Sequence, residues 1–130
     1  MSKSPNKQHI AKFAHEGDIR FGPSFYKLEL NGGMLENHIF GETHQWSPCS
    51  QYLALEEWLT TDYQQDPHTR LFIIDAVSGK FCAAEPIEKG FVDTIEFDGE
   101  AIKYSKRYSA KNALVDSVFS LSGAEPWSDL

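Results

Sequence analysis

Several things are scarce in this chain, and each scarcity removes a class of function. There is no apolar run of membrane-spanning length and no secretory apolar segment near Met1. Neither membrane insertion nor export is therefore predicted, and the cytoplasm is the expected compartment. Only two cysteines are present, Cys49 and Cys82. In an unexported protein they are expected as reduced thiols. For an exported one a disulfide stays open, because the sequence does not place their Cα atoms within bonding reach. No glycine-rich phosphate loop occurs, since Asn31-Gly32-Gly33 has the composition of a hairpin turn. Histidines 9, 15, 38, 44 and 68 lack metal-ligand spacing with one another and with the cysteines, so neither a metal nor any other cofactor is expected.

A catalytic set is also missing. Ser47, Ser50 and Ser78 fall in turns, where their side chains cap the backbone, and none has a Gly-x-Ser-x-Gly setting. Glu56 and Glu57 are adjacent; on a strand they point to opposite faces and cannot act as an acid–base pair. The chain is accordingly expected not to be an enzyme. A small-molecule hydrolase or lyase would need carboxylates or histidines converging in a pocket, and the sequence displays no such set.

Basic residues are scarce in the middle of the chain. From Leu28 to Ile102 there are 14 Asp and Glu against three Lys and Arg, within a chain of net charge −7. Lys3, Lys7, Lys12, Arg20 and Lys27 precede the acidic block, and Lys103, Lys106, Arg107 and Lys111 follow it. An acidic middle repels phosphates and argues against direct nucleic-acid binding. It favours a basic protein partner through electrostatic steering.

What is present is a globular composition. The 130 residues are 41% hydrophobic and 13% aromatic, enough for one domain with a real core. We expect an N-terminal arm over 1–23, a β core over 24–121 and a tail over 122–130. The spacing of Ile10, Phe13 and Ala14 predicts one or two helical turns near Gln8–His15. Ser24–Leu30 alternates as a strand, Asn31-Gly32-Gly33 turns it, and Met34–Phe40 returns. Ser47-Pro48-Cys49-Ser50 reads as a type I turn. Gln51–Trp58 is apolar on both faces, which predicts an internal strand, and Leu71–Ile74 reads as a central one. Between them, 59–69 is a long loop containing Pro67. Asp98-Gly99 is a two-residue hairpin turn, and Leu114–Leu121 is a last strand or a short helix. About nine short strands with frequent turn signals predict an all-β fold. Its antiparallel, blade-like sheets would pack as a small two-sheet domain.

The pattern also repeats. Trp46 and Phe97, each an aromatic at a strand end before a turn, lie 51 residues apart; Gly33 and Gly79 lie 46 apart. Trp46-Ser47-Pro48, Ser50, Leu53-Ala54, Asp75 and Gly79 resemble β-propeller blades of the WD-repeat and TolB-like kind. Cys49 departs from that pattern at the usual Asp position. The resemblance covers about 40 residues and implies local blade geometry; at two blade equivalents the chain is too short for a closed propeller.

One segment stands out functionally. Glu56, Glu57, Trp58, Asp62, Tyr63 and Asp66 combine carboxylates with two large aromatics on and beside the long loop, the composition of a partner-binding surface. The overall character is similar to small bacterial toxin-immunity proteins. That implies a non-enzymatic binding module that covers the active site of a basic, nuclease-type toxin. The alternative expectation is a propeller-like scaffold module that self-associates through sheet edges.

Overall fold

The computed structural model describes residues 1–18, 23–62, 64–110, 113–123 and 127–130. Among these there is no helix, and the strands run in chain order: β1 (Ser2–Lys3), β2 (Ile10–Asp18), β3 (Ser24–Leu30), β4 (Gly33–Met34), β5 (Ile39–Trp46), β6 (Tyr52–Trp58), β7 (His68–Asp75), β8 (Lys80–Ala83), β9 (Ile87–Glu88), β10 (Gly90–Asp98), β11 (Ala101–Tyr108), β12 (Ala113–Ser120) and β13 (Ser128–Asp129). They form two antiparallel sheets. The larger has the order β1-β2-β3-β5-β6-β7-β8-β13, with β4 added beside β3 and β9 beside β7; the smaller is β10-β11-β12. The all-β, two-sheet architecture read from the sequence is the one the chain adopts.

β6 and β7 form the centre, and their sequences explain why. Leu53, Ala54, Leu55, Leu71, Phe72, Ile73 and Ile74 are fully buried, so both faces of this strand pair are covered. One face carries Ala54, Leu71 and Ile73 into a cluster with Cys82, Ile87, Val92, Ile102 and Tyr104, which joins the two sheets. The other carries Leu53, Leu55, Phe72 and Ile74 against Ala11, Leu28, Phe40 and Trp46 from within the larger sheet. Each buried Leu, Ile, Val or Phe among them contributes about 1.5–3 kcal/mol by leaving water.

The turns follow local chemistry. Asn31 (φ 49°) and Gly32 (φ 87°) both take the left-handed conformation that a two-residue hairpin between Leu30 and Gly33 requires. At the 47–50 corner the Ser50 amide donates to the Ser47 carbonyl at 2.9 Å, and Ser47 Oγ accepts from the Tyr52 amide at 3.0 Å. Asp75 Oδ1 accepts from the amides of Val77 and Ser78, tightening the β7–β8 connection.

Four expectations need correction. The helical turns expected near Gln8–His15 are β2, whose residues pair with β3 from Ala11↔Leu30 to Asp18↔Ser24. The ladder hydrogen bonds outweigh the weak i, i+3, i+4 pattern. The 1–23 arm therefore supplies β1 and β2 to the larger sheet. The return strand expected over Met34–Phe40 is interrupted: β4 ends at Met34, and β5 begins at Ile39. The last expected hairpin turns one residue later than read, on Gly99-Glu100, because Asp98 pairs with Ala101 and Gly99 supplies the positive φ. Leu114–Leu121, left open between strand and helix, is a strand, β12, which begins and ends one residue earlier than read.

Candidate functional site

The end of β6 and the loop after it carry the residues singled out by sequence. Strand alternation separates Glu56 and Glu57, as expected, but neither reaches solvent: they are 5% and 4% exposed, and Trp58 is 6% exposed. The expectation that these three form part of an exposed partner-binding surface is thus corrected. They lie on an internal strand covered from both sides.

Glu56 faces the smaller sheet. Its Oε2 accepts from the Val92 amide at 2.7 Å and its Oε1 from Trp58 Nε1 at 3.0 Å. Val92 borders the bulge where β10 slips against β11, so the carboxyl engages backbone beside an irregular point of that ladder. Burial pushes the Glu56 carboxyl up to about 7, against the two donated bonds, which favour its charged form. Gly41 makes room for this clasp: a Cβ there would stand 2.7 Å from Trp58 Nε1 and closer still to Glu56 Oε1. The Trp58 ring is bracketed by Phe25 at 6.0 Å and Phe91 at 5.8 Å.

Glu57 faces the other side and binds two partners, a histidine and an arginine. His38 Nδ1 meets its Oε2 and Arg70 Nε meets its Oε1. The His38 ring is held among Phe72 at 4.9 Å, Phe81 at 5.3 Å and Phe40 at 6.1 Å. Leaving a buried charge uncompensated costs about 3–5 kcal/mol, so each partner of Glu57 matters to the fold. His38 also borders a cleft of about 510 Å³ lined by Leu30, Met34, Leu35, Ala76 and Leu130 among others. Among the described residues the cleft lining includes no hydroxyl, thiol or amine side chain, and Glu36 is its one side-chain carboxylate. Sequence reasoning passed over His38, which lies 19 residues from its partner. The usable signal was in β6: two adjacent carboxylates in an apolar strand require donors on both faces.

The remaining candidates are in the loop 59–67. Asp62 and Asp66 are exposed, while Tyr63 lies outside the described residues. The loop starts from a fixed base, with the Leu59 amide donating to the His68 carbonyl at 2.8 Å. Within it, Asp62 Oδ1 accepts from the Gln64 amide at 3.0 Å, and the Gln65 amide donates to the Asp62 carbonyl at 3.0 Å. β9 then pairs Glu88 opposite His68, which brings a further exposed carboxylate to the same edge. Asp66, His68, Glu88 and Lys89 line one shallow depression there. The structure therefore brings Asp66 and Glu88 together as an acidic edge beside Lys89, leaves Asp62 exposed on the same loop, and withdraws Glu56, Glu57 and Trp58 into the interior.

Among the described residues no group of three His, Cys, Asp or Glu side chains is placed to hold a metal. No family model matches the chain, and neither a curated protein nor a solved structure matches it.

Proposed function

We propose that the protein is a non-enzymatic binding module of the immunity type, acting in the cytoplasm on a basic protein partner, and that the loop 59–67 is its contact surface. The observation that carries this reading is the acidic edge itself. Asp62 and Asp66 are exposed on a loop closed at its base by the hydrogen bond from the Leu59 amide to the His68 carbonyl, and Asp66 shares a depression with Glu88. A loop anchored in this way loses less conformational entropy on binding than a free one. Its carboxylates attract a basic, phosphate-binding surface and raise the rate of encounter. In this reading Glu56, Glu57 and Trp58 act by positioning the loop.

The test uses the product of the adjacent gene in the source genome as the binding partner in titration calorimetry. We expect salt-dependent binding that inhibits the partner, and at least tenfold weaker binding by the Asp62→Lys, Asp66→Lys double variant. Both sites are exposed, so the variant retains its fold. A partner bound equally well by the variant would reject the loop as the contact surface. Absence of any bound basic partner would reject the immunity reading.

A further inference from the structure

β12 has an open edge of unusual composition. Among the described residues it pairs only with β11. It nevertheless exposes Leu114 (61%), Val115 (46%) and Val118 (65%) and carries a single charge, Asp116. Proteins ordinarily blunt such edges with lysine, proline or a covering segment, because an open edge templates further pairing.

The hydrogen-bond phase of this edge follows from the ladder. The Leu121 amide donates to the Glu100 carbonyl at 2.8 Å, in register with the Ala101↔Ser120 pairing. Alternation along an antiparallel pair then commits Val115, Ser117 and Phe119 to β11. Leu114, Asp116, Val118 and Ser120 point their N–H and C=O groups outward.

We propose that β12 pairs antiparallel with β12 of a second copy, with Ser117 on the two-fold axis, so that two three-stranded sheets become one of six strands. The register is self-complementary. Leu114 meets Ser120 of the other copy and Asp116 meets Val118, and these outward-facing residues exchange about eight backbone hydrogen bonds. On the inner face Val115 meets Phe119, extending the apolar cluster against which Phe119 already packs. Shifting the axis to Asp116 would set two carboxylates directly opposite each other, which disfavours that register.

Charge complementarity also selects the second copy. Val118 lies beside Lys103 on β11, and Leu114 beside Arg107. Asp116 of one copy thus faces a strand backed by Lys103 of the other, across roughly 10 Å of sheet, where it joins Asp98, which already pairs with Lys103 at 3.1 Å. An unlike partner that is strongly basic would instead meet Lys103, Lys106 and Arg107 on the adjoining strand. The same-strand pairing is an isologous two-fold contact, which closes at a dimer and leaves no β12 edge open.

The experiment is cross-linking of the full chain in a Cys49→Ser background. Ser117→Cys places two thiols opposite each other at a non-hydrogen-bonded position, about 4.5 Å apart at Cα, and mild oxidation should convert most of the chain to a disulfide dimer. Asp116→Cys places them roughly 8 Å apart, beyond disulfide reach, and should cross-link at least tenfold more slowly. In sedimentation equilibrium the unsubstituted chain should be dimeric. Val118→Pro, which removes an outward N–H, should weaken the dimer at least tenfold without loss of the β-sheet circular dichroism signal. A chain that stays monomeric into the high micromolar range would overturn the proposal, as would equal cross-linking at both positions. So would β12 amides protected from exchange only when a different protein is added, because that would identify an unlike strand as the occupant.

Discussion

Replacing Glu56 by Gln tests whether burial or hydrogen bonding governs the clasp between the sheets. In the folded chain the carboxyl is pushed from 4.5 up to about 7, chiefly by burial. In the unfolded chain it titrates near its ordinary value. Between about pH 4.5 and about pH 7 the folded chain therefore keeps a proton that the unfolded chain has released. Stability from this group is fully present below the lower value and is lost as the pH rises through the upper one. The displacement of about 2.5 pH units, at roughly 1.36 kcal/mol each, amounts to about 3 kcal/mol. The amide of the variant does not titrate. The assay is urea unfolding of both proteins by tryptophan fluorescence between about pH 4 and about pH 8. The stability of the natural chain minus that of Glu56→Gln should fall by about 3 kcal/mol across this range. Subtraction removes the contribution of every other titrating group that the substitution leaves unchanged. A flat difference would refute the reasoning. A difference that rises with pH would mean that the bonds from Val92 and Trp58 outweigh burial and hold the folded carboxyl below its ordinary range.

Three further outcomes follow from other parts of the fold. Gly41→Ala inserts a methyl group between Glu56 and Trp58 Nε1; it should cost about 3 kcal/mol and lower the melting temperature by roughly 10 °C, as scanning calorimetry would register. Thr69→Val removes the buried hydrogen bond from Thr69 Oγ1 to the Gly90 carbonyl at 2.9 Å, with an expected loss of about 1–3 kcal/mol in urea unfolding. Exposed Cys49, its thiol lowered first by the Ser47 hydroxyl, should react rapidly with a thiol reagent at neutral pH. Buried Cys82, pushed up to about 11, should react only after unfolding.

The parts of the fold that were legible in the sequence are those where local chemistry and tertiary packing agree. β6 and β7 announce themselves by being apolar on both faces, and they are the covered centre. Asn31-Gly32 and Ser47–Ser50 turn where their residues demand a turn. β2 was illegible because Ile10, Phe13 and Ala14 carry a faint helical spacing, whereas the decisive interactions are ladder bonds to β3, which pair Ala11 with Leu30 and Phe13 with Leu28. Burial at the candidate site was obscured by the same non-locality. Glu56 answers to Val92 and Glu57 to His38 and Arg70, each remote in sequence, so charged residues that read as exposed are interior ones. The loop itself was legible from its lack of period and apolar residues, although the expected span 59–69 overran it, because His68 and Thr69 open β7.

The strand order has a kinetic consequence. In the larger sheet nearly every pairing joins strands close in sequence, β13 with β8 being the widest exception. Such a meander can grow hairpin by hairpin, at low entropic cost for each loop closed. Seating the β10–β12 sheet upon it is a separate event, because the contact between Glu56 and Val92 spans 36 residues. If the meander forms first, weakening that contact should accelerate unfolding far more than it slows folding. The chevron of Glu56→Gln would then move on its unfolding arm.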